Sequence, residues 1–437
     1  MSNFNTLFQS LIRSLKSLIN KVDPTLSKPT QKFYLDAIFG ILKSGSLVLN
    51  DIAFALNEDI SLKKVNTRLY KNLEKIIPPA SKACYIQTVL EYANEEELVF
   101  IVDDSDIVKP YGKAFEKLAL VRDGSKKDSP LVLGYLLTSI VLLSKKSKQP
   151  IPIYNHIHNA TEKNYKSTNN ITNIGLRSIF PFLAKEVALF VFDRGYDDVK
   201  LMNLINANNQ HFLIRMRRSR HIYIKSSKSD AFFESSKRKG KINVPIFYKS
   251  KPEMLKVSHI EAKINNYPSK ITIVFIYSLF NDEPIILLSN RKVHSPDDLI
   301  RLSLNYISRW KIEELFRFKK VEFRLENFRV KSLVSINNLC YFLDVAILFL
   351  VHIIETKYQN KFYISLMENS KRIKEKVSIE YYQLYSGLKR IFNSNKKGVK
   401  NYKEVERWEY EELNLFNSLE LTTRKRVRKG KIKDKKR

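Results

Sequence analysis

NYISRWKIEELFRFKK, residues Asn305–Lys320, is the stretch on which the reading of this chain turns. Upstream, Ser295 stands as an N-cap, Pro296 takes the first helical position, and Asp297 and Asp298 fall in the first turn. Neither Gly nor Pro interrupts the residues from Leu299 onward, so the spacing predicts a helix that runs through to Lys320. At about 100° per residue, Tyr306, Arg309, Glu313 and Lys320 share roughly 60° of arc. Ile307, Trp310, Ile312, Leu315, Phe316 and Phe318 cover the rest of the circumference, which predicts a mostly buried helix. One narrow strip is left with a phenol, a guanidinium, a carboxylate and an ammonium. A carboxylate can bind a metal, and the cations beside it can hold phosphate. The same spacing also suits an ordinary ion-paired face, Arg309 to Glu313 at i,i+4.

The chain around this helix has 437 residues, enough for large cores and more than one domain. Its 76 basic and 45 acidic residues give a net charge of +31. That excess costs self-repulsion and suits a polyanionic partner, nucleic acid first and an anionic membrane surface second. The longest apolar run, Leu339–Ile354, is short for a membrane span and contains Asp344 and His352, so it reads as a buried core helix. The first apolar residues are interleaved with Arg13, Lys16 and Lys21, unlike a signal peptide. A cytoplasmic setting is expected. Cys84 and Cys340 stand alone and far apart, which suits a reducing compartment and excludes a cysteine-built zinc site.

Residues 1–95 read as helical, with apolar residues at helix spacing over Phe4–Ile19 and Gln31–Lys43. Asn50 or Asp51 can cap a short helix over Ile52–Leu56, and Ser61 a second one bearing Lys63, Lys64, Arg68 and Lys71. This fits a helix-turn-helix whose basic second helix enters the major groove, or a plain helical hairpin with a solvated basic face. At about residue 96 the pattern switches. Leu98–Val102 reads as a buried strand delivering Asp103, Asp104 and Asp106 at its end, followed by a basic linker, Lys109–Lys127. Strands are expected over Leu131–Leu143, Pro150–His158, Val187–Phe192 and Phe212–Met216. Helices are expected over Ile174–Lys185, with a break at Pro181, and Asp198–Ala207. The order predicts an α/β fold, a mixed sheet with helices packed on it. Val187–Phe192 ends in Asp193-Arg194-Gly195-Tyr196-Asp197, and sheet ends are where α/β proteins place their chemistry.

Residues 217–284 read as a β-rich insertion, with runs such as His221–Ile224, Val244–Tyr248 and Ile271–Tyr277 between Ser/Lys/Arg-rich loops. Its Phe247, Tyr248, Phe275 and Tyr277 suit stacking on bases, or the insertion's own small core. Residues 285–358 return to the core with Ile285–Leu288 and the long helix. Residues 359–437 are helical and polar, then basic: Arg424–Arg437 carries ten Lys or Arg and one Asp. Such a tail can lie along phosphates or merely aid solubility. His156 and His158 share a strand face and could ligate metal, but no Cys or carboxylate cluster accompanies them.

Two aspartates at strand ends and a glutamate on a buried helix can converge in a fold. Together they would make a hard, oxygen-only site suited to Mg²⁺ or Mn²⁺. Tyr306-x2-Arg309-x3-Glu313-x6-Lys320 resembles the YREK signature of the IS-four family of DDE transposases in all four residues and all three spacings. Asp104-Ser105 is similar to that family's first catalytic acid, and the block Asp193–Asp197 to its second. The β-rich section before the glutamate also matches the family's layout, so the resemblance spans roughly residues 97–355.

The resemblance implies an RNase H-like catalytic core, a mixed five-stranded sheet interrupted by a β-rich insertion between helical N-terminal and C-terminal regions. Asp104, Asp193 and Glu313 would hold two divalent ions. Tyr306, Arg309 and Lys320 would bind DNA phosphates. Asp103 and Asp104 face opposite ways along a strand, so one of them points into the site; the position before Ser105 favours Asp104. Asp197 reads as a helix N-terminal acid. The implied function is a transposase of an insertion sequence in a prokaryotic, nucleoid-associated setting. It would bind terminal inverted repeats and target DNA as a homodimer. The alternatives are a non-catalytic DNA-binding protein derived from such an element and a Mg-dependent nuclease. Members that cut through a hairpin use a Trp in the insertion; here Trp310 and Trp408 both lie outside it.

Overall fold

The computed structural model describes residues 4–93, 97–124, 126–162, 165–183, 186–238, 240–248, 251–277, 283–356, 361–371 and 379–395. Five helices open the chain: α1 (Phe4–Val22), α2 (Lys28–Ser44), α3 (Leu49–Leu56), α4 (Leu62–Leu73) and α5 (Pro79–Leu90). α1 buries Leu7, Phe8, Leu11, Ile12, Leu15, Leu18, Ile19 and Val22, one helical stripe. α3 starts behind Val48 rather than Asn50 or Asp51, and Ser61 precedes α4 without a side-chain cap bond. Arg68 of α4 is drawn inward to Asp36 and Glu58, leaving Lys63, Lys64 and Lys71 on the exposed face.

β1 (Leu98–Val108), β2 (Ala119–Arg122), β3 (Leu131–Leu143) and β4 (Pro150–His158) come next. After them lie α6 (Thr168–Ile179), β5 (Ala188–Phe192), α7 (Val199–Ala207) and β6 (His211–Arg215). β1 does not stop before its acids as expected. The hairpin partner β3 keeps pairing it through Asp103↔Ser139 and Asp104↔Thr138 to Val108↔Gly134, so the acids sit inside the strand. The basic linker holds β2, also paired with β3. α6 ends at Ile179, and Pro181 lies in the adjoining 3-10 turn Phe180–Leu183. β1, β3 and β4 are antiparallel neighbours, whereas β1, β5 and β6 run parallel. The result is a mixed five-stranded unit in the order β4-β3-β1-β5-β6.

The unit is covered on both faces, which is why β5 is buried at every position. Alternation along β4 shows it: the Asn155 amide donates to Asp344 on one side, while the Tyr154 ring lies against Gly175 of α6 on the other. β7 (Ile222–Ile224) and β8 (Ser227–Ser229) form a separate hairpin before α8 (Ala231–Ser236). β9 (Ile242–Tyr248), β10 (Lys251–Ala262), β11 (Ile271–Tyr277) and β12 (Ile285–Ser289) do not form a detached sheet. β12 pairs with β6 on one side and β11 on the other, so these strands continue the central sheet. Phe275 is fully buried within it, and the Tyr277 hydroxyl donates to Ser235 O. The side chains of Phe247 and Tyr248 lie outside the described residues.

α9 (Pro296–Ile307) opens with a full capping box between Ser295 and Asp298. The expected single helix is broken: α10 (Trp310–Glu322) starts afresh after a gap of two residues, Ser308 and Arg309. The Ser308 hydroxyl bonds back to Leu304 O at 3.0 Å, and the amide of Arg309 bonds three residues back, to Tyr306 O. The Leu304 carbonyl thus accepts both the Ser308 N–H and its hydroxyl, an arrangement that bends helices without Gly or Pro. α11 (Leu333–Glu355), α12 (Lys361–Glu368) and α13 (Tyr381–Ser394) close the described chain. Among the described residues α11 is the one single helix long and apolar enough to cross a membrane; here it is a core helix packed on β4 and α2. Trp408 and the basic tail lie outside the described residues.

Candidate active site

Parallel pairing brings two acids side by side. β1 and β5 run in register up to Val102↔Phe192, so Asp103 and Asp193 occupy the next position on each chain. Neighbours in register share a sheet face. β5 ends there in the 3-10 turn Arg194–Tyr196, which leaves Asp193 at the sheet end. Arg215, the last residue of the adjacent β6, reaches within 3.9 Å of Asp193 Oδ1. That oxygen is nonetheless buried without a hydrogen-bond partner among the described residues.

The third acid arrives through the helix break. Arg309 sits at the start of α10 and donates from Nη1 to Asp103 Oδ2 at 2.8 Å and from Nη2 to Glu313 Oε1 at 2.6 Å. One guanidinium therefore bridges the first strand and the helix carboxylate. Burial pushes the Asp103 carboxyl up to about 7, Arg309 opposes this, and the charges of Asp104 and Asp193 add to it. Burial works against the charge of Arg309, but Asp103, Tyr306, Asp193 and Glu313 more than offset it and hold it charged. Tyr306 is buried beside the same groups; burial raises its phenol to about 12, with Asp193 raising it further and Arg309 lowering it. Lys320, two turns on, lies 3.2 Å from Glu326 and 3.5 Å from Asp106.

Asp104 faces the other way. Its Oδ1 accepts from Thr138 Oγ1 and its Oδ2 from the Tyr196 hydroxyl, each at 2.6 Å. Burial raises its carboxyl, and those two donors oppose the rise. Thr138 also contacts His158 Nε2 at 2.9 Å, whose ring stacks on His156. Burial lowers His158 to about 4, so this pair is a neutral, packed support beneath Asp104. Asp197 is fully buried, paired with Arg220 at 2.6 Å, and accepts the backbone N–H of Arg217 at 2.7 Å. Asp198, not Asp197, caps α7.

The structure thus gathers Asp103, Asp193, Tyr306, Arg309 and Glu313 and sets Asp104 on the opposite face. Arg215, Thr138 and Tyr196 were not singled out in the sequence. Arg215 was legible only as the residue ending a strand beside β5, a neighbourhood that pairing alone reveals.

Among the described residues no three His, Cys, Asp or Glu side chains converge closely enough to hold a metal ion in this arrangement. The Arg309 guanidinium lies between two of the candidate carboxylates. The donor set still fits a hard divalent cation. It is oxygen-only, one of its oxygens is buried and unpartnered, and a second carboxyl is held high by burial, as a carboxylate short of positive charge would be.

A search of curated protein sequences finds no match to this chain. Among solved structures the chain is similar to one described as "Cryo-EM structure of piggyBac transposase synaptic complex with hairpin DNA", at 10% identity and a TM-score of 0.41, over 90% of this chain and 82% of that one. Residues 134–350 match the family described as "Transposase DDE domain". The matched span runs from within β3 to within α11 and takes in Asp193, Tyr306, Arg309, Glu313 and Lys320. Residues 134–350 thus read as a transposase DDE domain, and the match supports a DDE transposase.

Proposed function

We propose that this chain is a DNA transposase that binds the inverted repeats at the ends of an insertion sequence, cleaves the phosphodiester at each end and joins the freed 3′ hydroxyl to target DNA. The observation that carries the reading is Arg309, bonded at once to Asp103 and Glu313, with Asp193 the register neighbour of Asp103 at the same end of the sheet. The order β4-β3-β1-β5-β6 supports an RNase H-like core for residues 96–216 and 285–358. The helical segment 1–95, with Lys63, Lys64 and Lys71 on one exposed face, is our candidate for end recognition.

Mg²⁺ or Mn²⁺, when bound, would supply the charge that activates a water or hydroxyl and steadies the leaving oxygen. Asp103, Asp193 and Glu313 would hold it. Asp103 takes the place the Asp-Ser pairing gave to Asp104, because Asp103 shares its face with Asp193 and α10 while both oxygens of Asp104 are engaged elsewhere. Asp104 then positions the end of β1 through Thr138 and Tyr196. Arg309 and Tyr306 face the DNA phosphate; Arg309 must release at least one carboxylate to reach it. Lys320 reaches the same strand beside Asp106. Two ends have to be held together, so a homodimer on DNA is part of the proposal.

The test is cleavage of a duplex carrying the DNA that flanks this gene, with and without Mg²⁺. Asp103→Asn, Asp193→Asn and Glu313→Gln should each lower cutting by about 10³-fold or more while DNA binding persists. Asp104→Asn should retain measurable cutting. Full cutting by Asp103→Asn together with none by Asp104→Asn would restore Asp104 as the ligand. Binding without any Mg²⁺-dependent cutting would favour the non-catalytic DNA-binding protein, and cutting without strand-transfer products would favour a nuclease.

A further inference from the structure

A second polar cleft opens beside the candidate acids, and neither the family match nor the YREK-like strip accounts for it. Its volume is about 480 Å³, and Asn169, Asp197, Asp198, Lys200, Asn203, Arg217, Arg220 and Asn266 line it with Val199. The size falls in the ~300–1,000 Å³ range of sites for small ligands. Its lining is unlike an apolar ligand pocket. Asp197 is spent on Arg220 and the Arg217 backbone, and Asp198 on capping α7. The lining therefore sets Lys200, Arg217 and Arg220 against Asp197 and Asp198, a net positive charge of one, with Lys200 and Arg217 exposed. Exposed lysine and arginine side chains suit an anion, phosphate above all. Asn169, Asn203 and Asn266 offer paired donors and acceptors of the sort that read a base edge.

Position supplies the rest. Arg217 lies two residues past the end of β6 and donates from Nη2 to Gly195 O at 3.0 Å, so the cleft is fastened to the turn that carries Asp193. Tyr196, from the same turn, points to Asp104 on the α6 side of the sheet. The cleft therefore lies across the Asp193–Asp197 turn from Arg309 and Glu313. A DNA strand with its phosphate at the acids would run its next residues over this turn.

We propose that the cleft is a subsite for one unpaired nucleotide of the DNA strand adjoining the cut, its phosphate on Lys200 and Arg217 and its base edge among the three asparagines. The assignment rests on the transposase reading for its choice of DNA strand. The lining has no aromatic side chain, so recognition there is by hydrogen bonds and charge, not stacking.

The full-length protein is titrated, in EDTA so that nothing is cut, with a blunt labelled duplex and with the same duplex bearing a short single-stranded overhang. Wild type should bind the overhang probe about tenfold more tightly. The Asn203→Ala/Arg217→Ala pair, both exposed positions, should erase that excess, shorten the salt slope on the overhang probe by about 0.7 per lost phosphate contact, and leave blunt-duplex affinity within about twofold. Lys200→Glu should act in the same direction. Equal wild-type affinity for both probes, or an excess that survives in the double variant, would overturn the assignment. Mg²⁺-dependent cleavage by the wild-type protein is scored separately. If cutting stands and the overhang excess is absent, the cleft assignment alone falls; if cutting is absent and the excess is present, the cleft stands as a site for an unpaired nucleotide, and its place beside a cut falls with the transposase reading.

Discussion

At the scale of single residues, Arg309 connects the site. Its guanidinium ties β1 to Glu313, and in that position it takes the place of positive charge that the acids lack. Replacing it should have two separable effects. Arg309→Gln should weaken DNA binding and reduce the dependence of log K on log salt by about 0.9 if it contacts one duplex phosphate. An unchanged salt slope would show that Arg309 serves the carboxylates alone. The histidines make a different prediction. His158 and His352 are buried and held neutral, each lowered by burial to about 4. The unfolded chain therefore binds more protons between pH ~6.5 and ~4, and stability rises with pH across that window. Acidification from 6.5 to 4 should lower Tm, and His158→Gln should recover on the order of 2–3 kcal/mol of that loss. A Tm profile identical in the variant and wild type over this range would refute the assignment.

At the scale of elements, α10 is held in place by a buried pair rather than by its charged strip. Lys319 is fully buried and donates to Asp344 of α11 at 2.7 Å, and the other Asp344 oxygen accepts from Asn155 of β4 at 2.6 Å. Breaking one side of such a pair strands a charge. Lys319→Ala should cost about 3–5 kcal/mol in urea unfolding, while a matched Lys319→Met/Asp344→Leu variant should recover most of it. If both variants unfold alike, the pair is not what seats the helix. β1 and β3 have a comparable constraint at Gly134. A Cβ there would meet Ile107 O at 2.4 Å and Val121 Cγ2 at 2.5 Å, so three strands close on this position with no room for a side chain. Gly134→Ala should destabilise the pairing of β1 with β3 near Val108 by more than the ~0.5 kcal/mol of a surface change.

At the scale of the whole molecule, +31 charges and one continuous sheet would set the terms of the proposed DNA binding. The insertion strands β9–β11 are hydrogen-bonded into the core through β12, so a grip on DNA by the insertion would be transmitted to the sheet end bearing the acids. Binding to any duplex should be strongly salt-dependent, and removing residues 424–437 should lower affinity for specific and non-specific DNA alike. Loss confined to the specific sequence would show instead that the tail reads bases.

What the sequence determined by itself was local. The 3.6-residue and two-residue periods placed β3 and β4 at their observed bounds and found the helices α1, α2 and α7 within a few residues. The chemical types on the Tyr306–Lys320 strip and the acid after β5 were legible because those features are written in consecutive residues. Which of Asp103 and Asp104 shares a face with Asp193 was not, because adjacent strand positions are equivalent until something covers one face; packing of α10 and α11 on one side and α6 on the other separates the two side chains. Nor was the break after Ile307, where the Arg309 N–H bonds three residues back without a breaker residue. Pairing across nearly a hundred residues set Asp103 beside Asp193, and the bridge from Arg309 to Asp103 spans about two hundred. Such contacts arise from which surfaces bury best against each other, a property of the folded chain that no window of sequence contains.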